Sequence, residues 1–540
     1  MLAPNDKYND MKNDITQNVT MQDTDKPAET PLKNNQINRR KFVEVMASSA
    51  VAFTIVPRHV LGGKGYVAPS DTINLGYIGI GTQGIREMLP MLGVPGIRVV
   101  AVCDPCKNAI GYKDWAKDWL KNEIRKAIQK ADWEPGGDNS IPGGRDNGKS
   151  IVDTFYANVH PEYKFKGCTA YADARELMDK EKGMDAVKII TPDHLHGILS
   201  IAAMKRGKHV LVHKPLSNRL IEGKKAIDMA RKGKTITHLI PWDSNGSMEG
   251  VMNWINGGVI GTLTEVHNWT NRPVWPQYPD IPSDKPPVPD GLDWKLWLGP
   301  ETDRPYHPNY TNMVFRGWYD FGGGSMADMG HYSLWSVFNA LQLTSPISVE
   351  PHRSHVCSFH DPVPYRIENN FSFPMASTVR FKYPANGNRG PIDLCWYDGG
   401  MRPPIPEELV EQNKELPQEG MMFVGDKGKI LAGFNIQSPQ IISGKKMDPV
   451  GNMNSDSRDQ VAKTTAALQS FIDACKSGKQ YPGNFREAEY ITEAINLYAV
   501  ALRTNKLLKY DAANVAITNV PDANKYLNRE YTAGWDPSGI

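Results

Sequence analysis

The chain has no apolar run approaching the roughly 20 residues that a membrane-spanning helix needs, so stable insertion by that route is not expected. It also has no excess of charge. Its 62 basic and 60 acidic residues leave a net charge of +2, which gives no electrostatic footprint for a nucleic-acid partner. Cysteine is scarce: six in 540 residues are too few for a disulfide scaffold. The single C-x-x-C, Cys103 and Cys106, has no second pair to complete a zinc site, and no metal is expected. It reads as a core cysteine at a strand end followed by a loop cysteine. What the chain does have is length for two or three domains with full cores. It also has 40 prolines and 13 Trp, many of them between residues 240 and 405, which point to ordered, aromatic-rich loops.

The first 37 residues are polar and lack the apolar content of a packed core. Then comes Asn38-Arg39-Arg40-Lys41-Phe42-Val43 and the mildly apolar VMASSAVAFTIVP. Paired Arg, a nearby Phe and a short weak apolar stretch resemble a twin-arginine signal. Residues 1–70 are therefore expected to be a leader, and the protein to be exported to the periplasm.

Organisation begins at residue 71. The apolar run INLGYIGI passes into Gly79-Ile80-Gly81-Thr82-Gln83-Gly84. A helical stretch follows, then IRVVAVC and Asp104. This is the layout of a dinucleotide-binding βαβ unit. Gly79 suits the tight turn, and Gly81 a close approach of backbone to pyrophosphate at a helix N-terminus. Gly84 suits close helix–strand packing, and Asp104 a ribose. Thr82 and Gln83 complete the loop. A carboxylate at Asp104 repels a 2′-phosphate, which favours NAD over NADP. Residues of about 108–162 read as an insertion on the ligand side of the sheet. Strand and helix then alternate to residue 240, which predicts an α/β Rossmann domain, a doubly wound parallel sheet, over 71–240. Beyond it, longer strands and a hairpin turn at Gly425-Asp426-Lys427-Gly428 predict an α+β domain with a largely antiparallel sheet over 241–515. Two amphipathic helices end that domain, and 516–540 reads as a tail.

Ligands of such a sheet bind beyond the carboxyl ends of its strands, where three motifs fall. The first, Thr191-Pro192-Asp193-His194-Leu195-His196, offers Thr191, Pro192, His194 and His196 as cofactor contacts. The second, His213-Lys214-Pro215, places Lys214 in the cleft, where desolvation and a nicotinamide's charge lower its pKa. The third runs from Gly322 to Tyr332. Three glycines lead into a helix with Asp328 and His331 at i and i+3, a carboxylate beside an imidazole that suits removal of a hydroxyl proton. Trp242, Arg272, Trp275 and Trp318 lie in loops that can present flat aromatic faces or a charge to a sugar.

Together these motifs resemble the glucose–fructose oxidoreductase, inositol dehydrogenase and rhizopine catabolism family (Gfo/Idh/MocA). The resemblance covers roughly residues 70 to 515. It includes GVIGTLTEVHNWTNRPVWPQ and GLDWKLWLGP, which look like an exported subgroup. It implies a Rossmann domain followed by an open-faced sheet domain, with the active site between them. It further implies a tightly held nicotinamide dinucleotide, sugar, glycoside or polyol substrates, and homo-oligomers. Lys214 matches the family's catalytic Lys and Asp328 the Asp of its D-x-G-x-H motif. Three positions depart: His213 stands for a Glu, Tyr332 for the motif's His, with His331 one residue earlier, and Trp335 for an acid. Either His331 or Tyr332 is then the candidate proton acceptor. Three functions stay open. One is oxidation of a secondary alcohol by NAD, and the second is redox-neutral cleavage of a glycoside through a transient 3-keto sugar. The third is sugar binding without catalysis.

Overall fold

The computed structural model describes residues 71–108, 116, 118–136, 142–240, 246–443, 446–448 and 458–540. The leader, the arginine pair and Trp242 lie outside the described residues. Six strands form the first sheet: β1 (Ile73–Ile78), β2 (Ile97–Cys103), β3 (Thr169–Tyr171), β4 (Ala186–Ile189), β5 (His209–His213) and β6 (Thr237–Ile240). Their order is β3-β2-β1-β4-β5-β6, and every pairing is parallel. These short apolar strands carry helices on both faces, which buries most of their side chains. The order reverses between β1 and β4, and that switch opens a crevice at the strands' carboxyl ends.

The expected insertion divides. Arg145–Val159 is the crossover helix from β2 to β3. It buries Ile151, Val152, Phe155 and Tyr156 in the same core as β1 and β2. Its first turn also covers the glycine loop. Gly144 N–H donates to the Ile80 carbonyl at 2.7 Å, and a Cβ on Gly148 would lie 2.8 Å from the Ile80 side chain. Among the described residues of that stretch, the short helix Trp119–Ala127 stands outside the alternation.

The second sheet contains β7 (Leu263–Trp269), β8 (Ser348–Arg353), β11 (Ser377–Tyr383), β12 (Ile392–Asp398), β13 (Gly420–Gly425), β14 (Lys429–Ala432), β15 (Gln440–Ser443), β16 (Lys446–Asp448), β17 (Leu508–Asp511) and β18 (Ala516–Ile517); β9 (Cys357–His360) and β10 (Val363–Arg366) pair apart as a hairpin. Among the described strands of this sheet, β7 and β12 alone pair in parallel. The hairpin turn expected at 425–428 joins β13 to β14. On β11, alternation sends Val379, Phe381 and Tyr383 into the core and leaves Thr378, Arg380 and Lys382 on the other face. No helix among the described residues is long and apolar enough to cross a membrane.

The chain returns to the first domain at its end. The helix Arg458–Ser477 buries Leu468, Phe471 and Ile472 in the core beneath β1 and β2. Residues 516–540 are built in rather than loose. Strand β18 pairs with β17, a 3₁₀ helix runs over Pro521–Leu527, and Leu527, Trp535 and Ile540 are buried.

Candidate functional site

The glycine loop has the shape its sequence requires. Gly79 has φ +101°, and a Cβ there would sit 2.3 Å from the Ile190 carbonyl oxygen. A Cβ on Gly84 would sit 2.2 Å from the Gly79 carbonyl oxygen, so the helix Thr82–Leu92 packs against the strand end only with glycine there. That helix starts at Gly81 with no side-chain cap and no acid in its first turn. Its leading N–H groups remain for an anion such as a pyrophosphate. Asp104 braces the loop, its two carboxylate oxygens accepting from Ile80 N–H at 2.7 Å and Cys106 N–H at 2.8 Å. Burial pushes its carboxyl up to about 6 against those two hydrogen bonds. Cys106 donates its S–H to the Asn108 carbonyl, and all six cysteines are free.

Above the switch point lies a cavity of 760 Å³, within the roughly 300–1,000 Å³ of small-molecule and cofactor sites. Gly79, Gly81, Thr82, Gln83, Gly84 and Asp104 line one end, and Thr191, Pro192, His213, Lys214, Arg272, Asp328 and Tyr332 line the other. The narrow glycine turn, the uncapped helix start and the carboxylate beside them fit a dinucleotide. No group of three or more His, Cys, Asp or Glu among the described residues is placed to hold a metal ion.

The polar cluster at the far end centres on Asp328. Lys214, 2 % exposed, donates to Asp328 Oδ1 at 2.8 Å and to the Asp328 backbone carbonyl. Arg316 Nε lies 3.3 Å from Oδ1, and Arg272 Nε 3.4 Å from Oδ2. Burial alone would raise the Asp328 carboxyl. The charges of Lys214, Arg316 and Arg272 outweigh it and hold the group well below the usual carboxylate range. Burial pushes the Lys214 ammonium below its ordinary value, with Asp328 opposing. Lys214 Nζ also lies 4.8 Å from the centre of the Tyr332 ring. Burial and the Asp328 charge push the Tyr332 phenol up, so it keeps its proton at neutral pH.

His331 is in a different place from the one its spacing suggests. It is fully buried and off the cavity wall, its ring 6.4 Å from that of Trp335. Neither ring nitrogen has a hydrogen-bond partner among the described residues. The cause is local: Met326–Gly330 is a π-helical turn before the α-helix His331–Ala340. The wider turn brings Tyr332 round to the cavity beside Asp328 and turns His331 inward.

Other candidates also move behind the wall. His196 contacts the Thr191 carbonyl through Nε2 at 2.8 Å and the Pro215 carbonyl through Nδ1 at 2.7 Å, tying the ends of β4 and β5 together. His194 bonds the Trp297 carbonyl through Nε2 at 3.0 Å. Both sit in the first helical turn after Pro192, whose side chains are buried on every side. Trp318 stacks on Tyr278 and donates to the Asn309 carbonyl, and Trp275 is buried beside Gly317. Among the expected substrate residues that are described, Arg272 is the one placed on the cavity wall.

Some site residues carry no motif. Arg316 is one: a Cβ on Gly322 would lie 2.5 Å from its Cα, so the glycine run is what admits it to the site. Glu87 is another. Its Oε1 lies 3.0 Å from His213 Nε2, and its Oε2 lies 2.7 Å from Lys188 Nζ, which is fully buried. Glu87, from a neighbouring helix, thus sets a carboxylate against His213 behind the cavity wall.

Two family models match the chain. "Oxidoreductase family, NAD-binding Rossmann fold" covers residues 149–239, and "Oxidoreductase family, C-terminal alpha/beta domain" covers 248–364. The first begins inside the crossover helix, so the glycine loop lies ahead of it. Levoglucosan dehydrogenase of Pseudarthrobacter phenanthrenivorans is 32% identical over 127 residues, 22% of this chain and 32% of the relative. A glycosyl hydrolase family 109 protein of Solibacter usitatus is 25% identical over 202 residues, 36% of each chain. The chain thus matches about a third of the length of these relatives. The solved aldose–aldose oxidoreductase of Caulobacter crescentus, complexed with glycerol, aligns at 14% identity and a TM-score of 0.45, over 81% of this chain and 99% of that one. With the parallel sheet, the glycine loop and the Lys214–Asp328 pair in one cavity, the two matched models show that over residues 149–239 and 248–364 the chain carries the two domains of the Gfo/Idh/MocA oxidoreductase family.

Proposed function

We propose that the protein is an NAD-dependent oxidoreductase acting on a secondary alcohol of a sugar, glycoside or polyol, with a cofactor held and recycled in place. The observation that carries this reading is the Lys214–Asp328–Tyr332 cluster in the same cavity as the glycine loop. Gly79, Gly81, Gly84 and Asp104 would hold NAD, which supplies a hydride acceptor when bound. The chain's own residues handle the proton. A neutral Lys214 has two N–H bonds, and both are taken by Asp328, one by its side chain and one by its carbonyl. The lone pair on Nζ is then left to accept a hydroxyl proton. Asp328 fixes that amine, Arg272 and Arg316 fix Asp328, and Tyr332 Oη keeps its proton and donates to a substrate oxygen. The arginine pair Arg39–Arg40 supports export, where free NAD is scarce and a resident cofactor has an advantage.

Matches to several glycosyl hydrolase family 109 proteins favour a second reading, redox-neutral cleavage. There the sugar is oxidised transiently, the ketone acidifies the neighbouring C–H, the aglycone leaves, and the sugar is reduced again.

One experiment separates the readings. The purified protein is incubated with aryl glycosides and free sugars without added NAD, and the small molecules released on denaturation are analysed by mass spectrometry. Oxidised sugar with a single equivalent of reduced cofactor is the expected result. Repeated aglycone release would favour the second reading. Loss of about 10²–10⁴-fold in kcat/KM is expected in Lys214→Ala, the range of a general base; unchanged activity would overturn the site.

A further inference from the structure

The tail reaches the dinucleotide cavity. It is first anchored at Arg529, which is 8% exposed. Its Nε lies 2.9 Å from Glu222 Oε1, Nη1 lies 2.6 Å from Glu301 Oε1, and Nη2 donates to Asn218 Oδ1 at 2.5 Å. Thr532 then bonds the carbonyls of Pro300 and Glu301 through its N–H and its hydroxyl. A turn closed by Trp535 N–H on the Thr532 carbonyl at 3.0 Å delivers the indole to the cavity wall.

The position of that indole is specific. Arg175 lies with its guanidinium carbon 4.2 Å from the centre of the indole ring and donates to the Gly534 carbonyl at 3.0 Å. Arg175 is itself held by Asp173, which follows β3 and lines the cavity. Gly299 makes room on another side: a Cβ there would lie 2.4 Å from Leu195 and 3.6 Å from Trp535 Cη2. The indole therefore stands between the turn after β3 and the helix after β4. Its partner Arg175, with Asp173, follows β3, which pairs with β2, the strand that leads to Asp104, so the indole is tied to the side of the cavity whose carboxylate suits the adenosine ribose of a dinucleotide.

We propose that Trp535 is the adenine-side wall of the cofactor site, and that the anchored tail is a clasp that slows cofactor exchange. This rests on the dinucleotide reading above. An aromatic wall suits adenine because a flat π-face is matched without hydrogen-bond readout. Being fixed by buried ionic contacts, the wall costs no ordering when the cofactor enters.

The test uses the full chain stripped of bound nucleotide and titrated calorimetrically with NAD, ADP-ribose and nicotinamide mononucleotide. Trp535→Ala is expected to weaken NAD and ADP-ribose about 10- to 100-fold, the worth of one base–aromatic contact. It should leave nicotinamide mononucleotide unchanged, and Trp535→Phe should restore most of the loss. Displacement of bound NADH should be faster in Trp535→Ala by a similar factor. Equal weakening of all three ligands, or none, would overturn the clasp. Failure of the wild type to bind any of the three would instead overturn the dinucleotide reading, and the clasp with it.

Discussion

At the scale of single residues, the site turns on which neighbour of Asp328 faces the cavity. Lys214 and Asp328 are legible in the sequence because each sits at a strand end or after a glycine run, where position alone sends a side chain to the crevice. The choice between His331 and Tyr332 is not legible. In an α-helix i+3 and i+4 both lie beside residue i, and the π-helical turn at Met326–Gly330 that decides between them has no simple sequence signature. The consequence is measurable in steady-state kinetics. Tyr332→Phe removes one hydroxyl from the cavity and should lower kcat about tenfold, the worth of a hydrogen bond strengthened in the transition state. His331→Leu replaces a buried ring whose nitrogens have no described partner. It should leave kcat/KM within about twofold of wild type, since no interaction with the reacting groups is lost. The reverse pattern would return the proton-transfer role to His331.

At the scale of elements, the glycine loop is legible because its geometry is local: one strand end, one turn, one helix start. The ion cluster beneath it is not, because Glu87, Lys188 and His213 come from the helix Thr82–Leu92, β4 and β5. Nothing in any one segment announces the other two. Burial pushes the Glu87 carboxyl up, but the charges of His213 and Lys188 outweigh it and set it well below its ordinary 4.5. A depressed carboxylate contributes stability in full above its unfolded pKa and loses it as pH falls. Glu87→Gln leaves the fully buried Lys188 ammonium without its counter-charge. Urea denaturation at pH 7 should show a loss of about 3–5 kcal/mol, the cost of removing one partner from a buried pair. The gap between variant and wild type should narrow as pH falls below 4.5. A gap independent of pH would mean that packing, not charge, is what Glu87 supplies.

At the scale of the whole molecule, the two sheets share one continuous core. Residues of β4 and β5, the helix Asp193–Lys205, the helix Glu489–Thr504 and the inner face of the second sheet belong to the same buried cluster. The helix Arg458–Ser477 and the tail then bring the chain's end back onto the first domain. The tail's role was illegible in the sequence: an isolated Arg in a polar stretch reads as surface. Its partners Glu222 and Glu301 are hundreds of residues away and buried. Such coupling should make the folded body behave as one unit, although chains of this size commonly unfold domain by domain. Wild type is therefore expected to give a single transition by both circular dichroism and tryptophan fluorescence. Arg529→Ala strands the buried Glu222 carboxylate and takes from Glu301 one of its two guanidinium partners, Arg219 being the other, and should cost about 3–5 kcal/mol. Arg529→Met should not rescue it, because the methionine fills the space but leaves the Glu222 charge unpaired. Arg529→Met combined with Glu222→Gln should recover most of the loss, since the neutral side chain removes the charge that needed a partner, while Glu301 keeps Arg219. If Arg529→Met alone were as stable as wild type, the tail would be held by shape and not by charge. The two probes would then be free to report separate transitions for the two sheets.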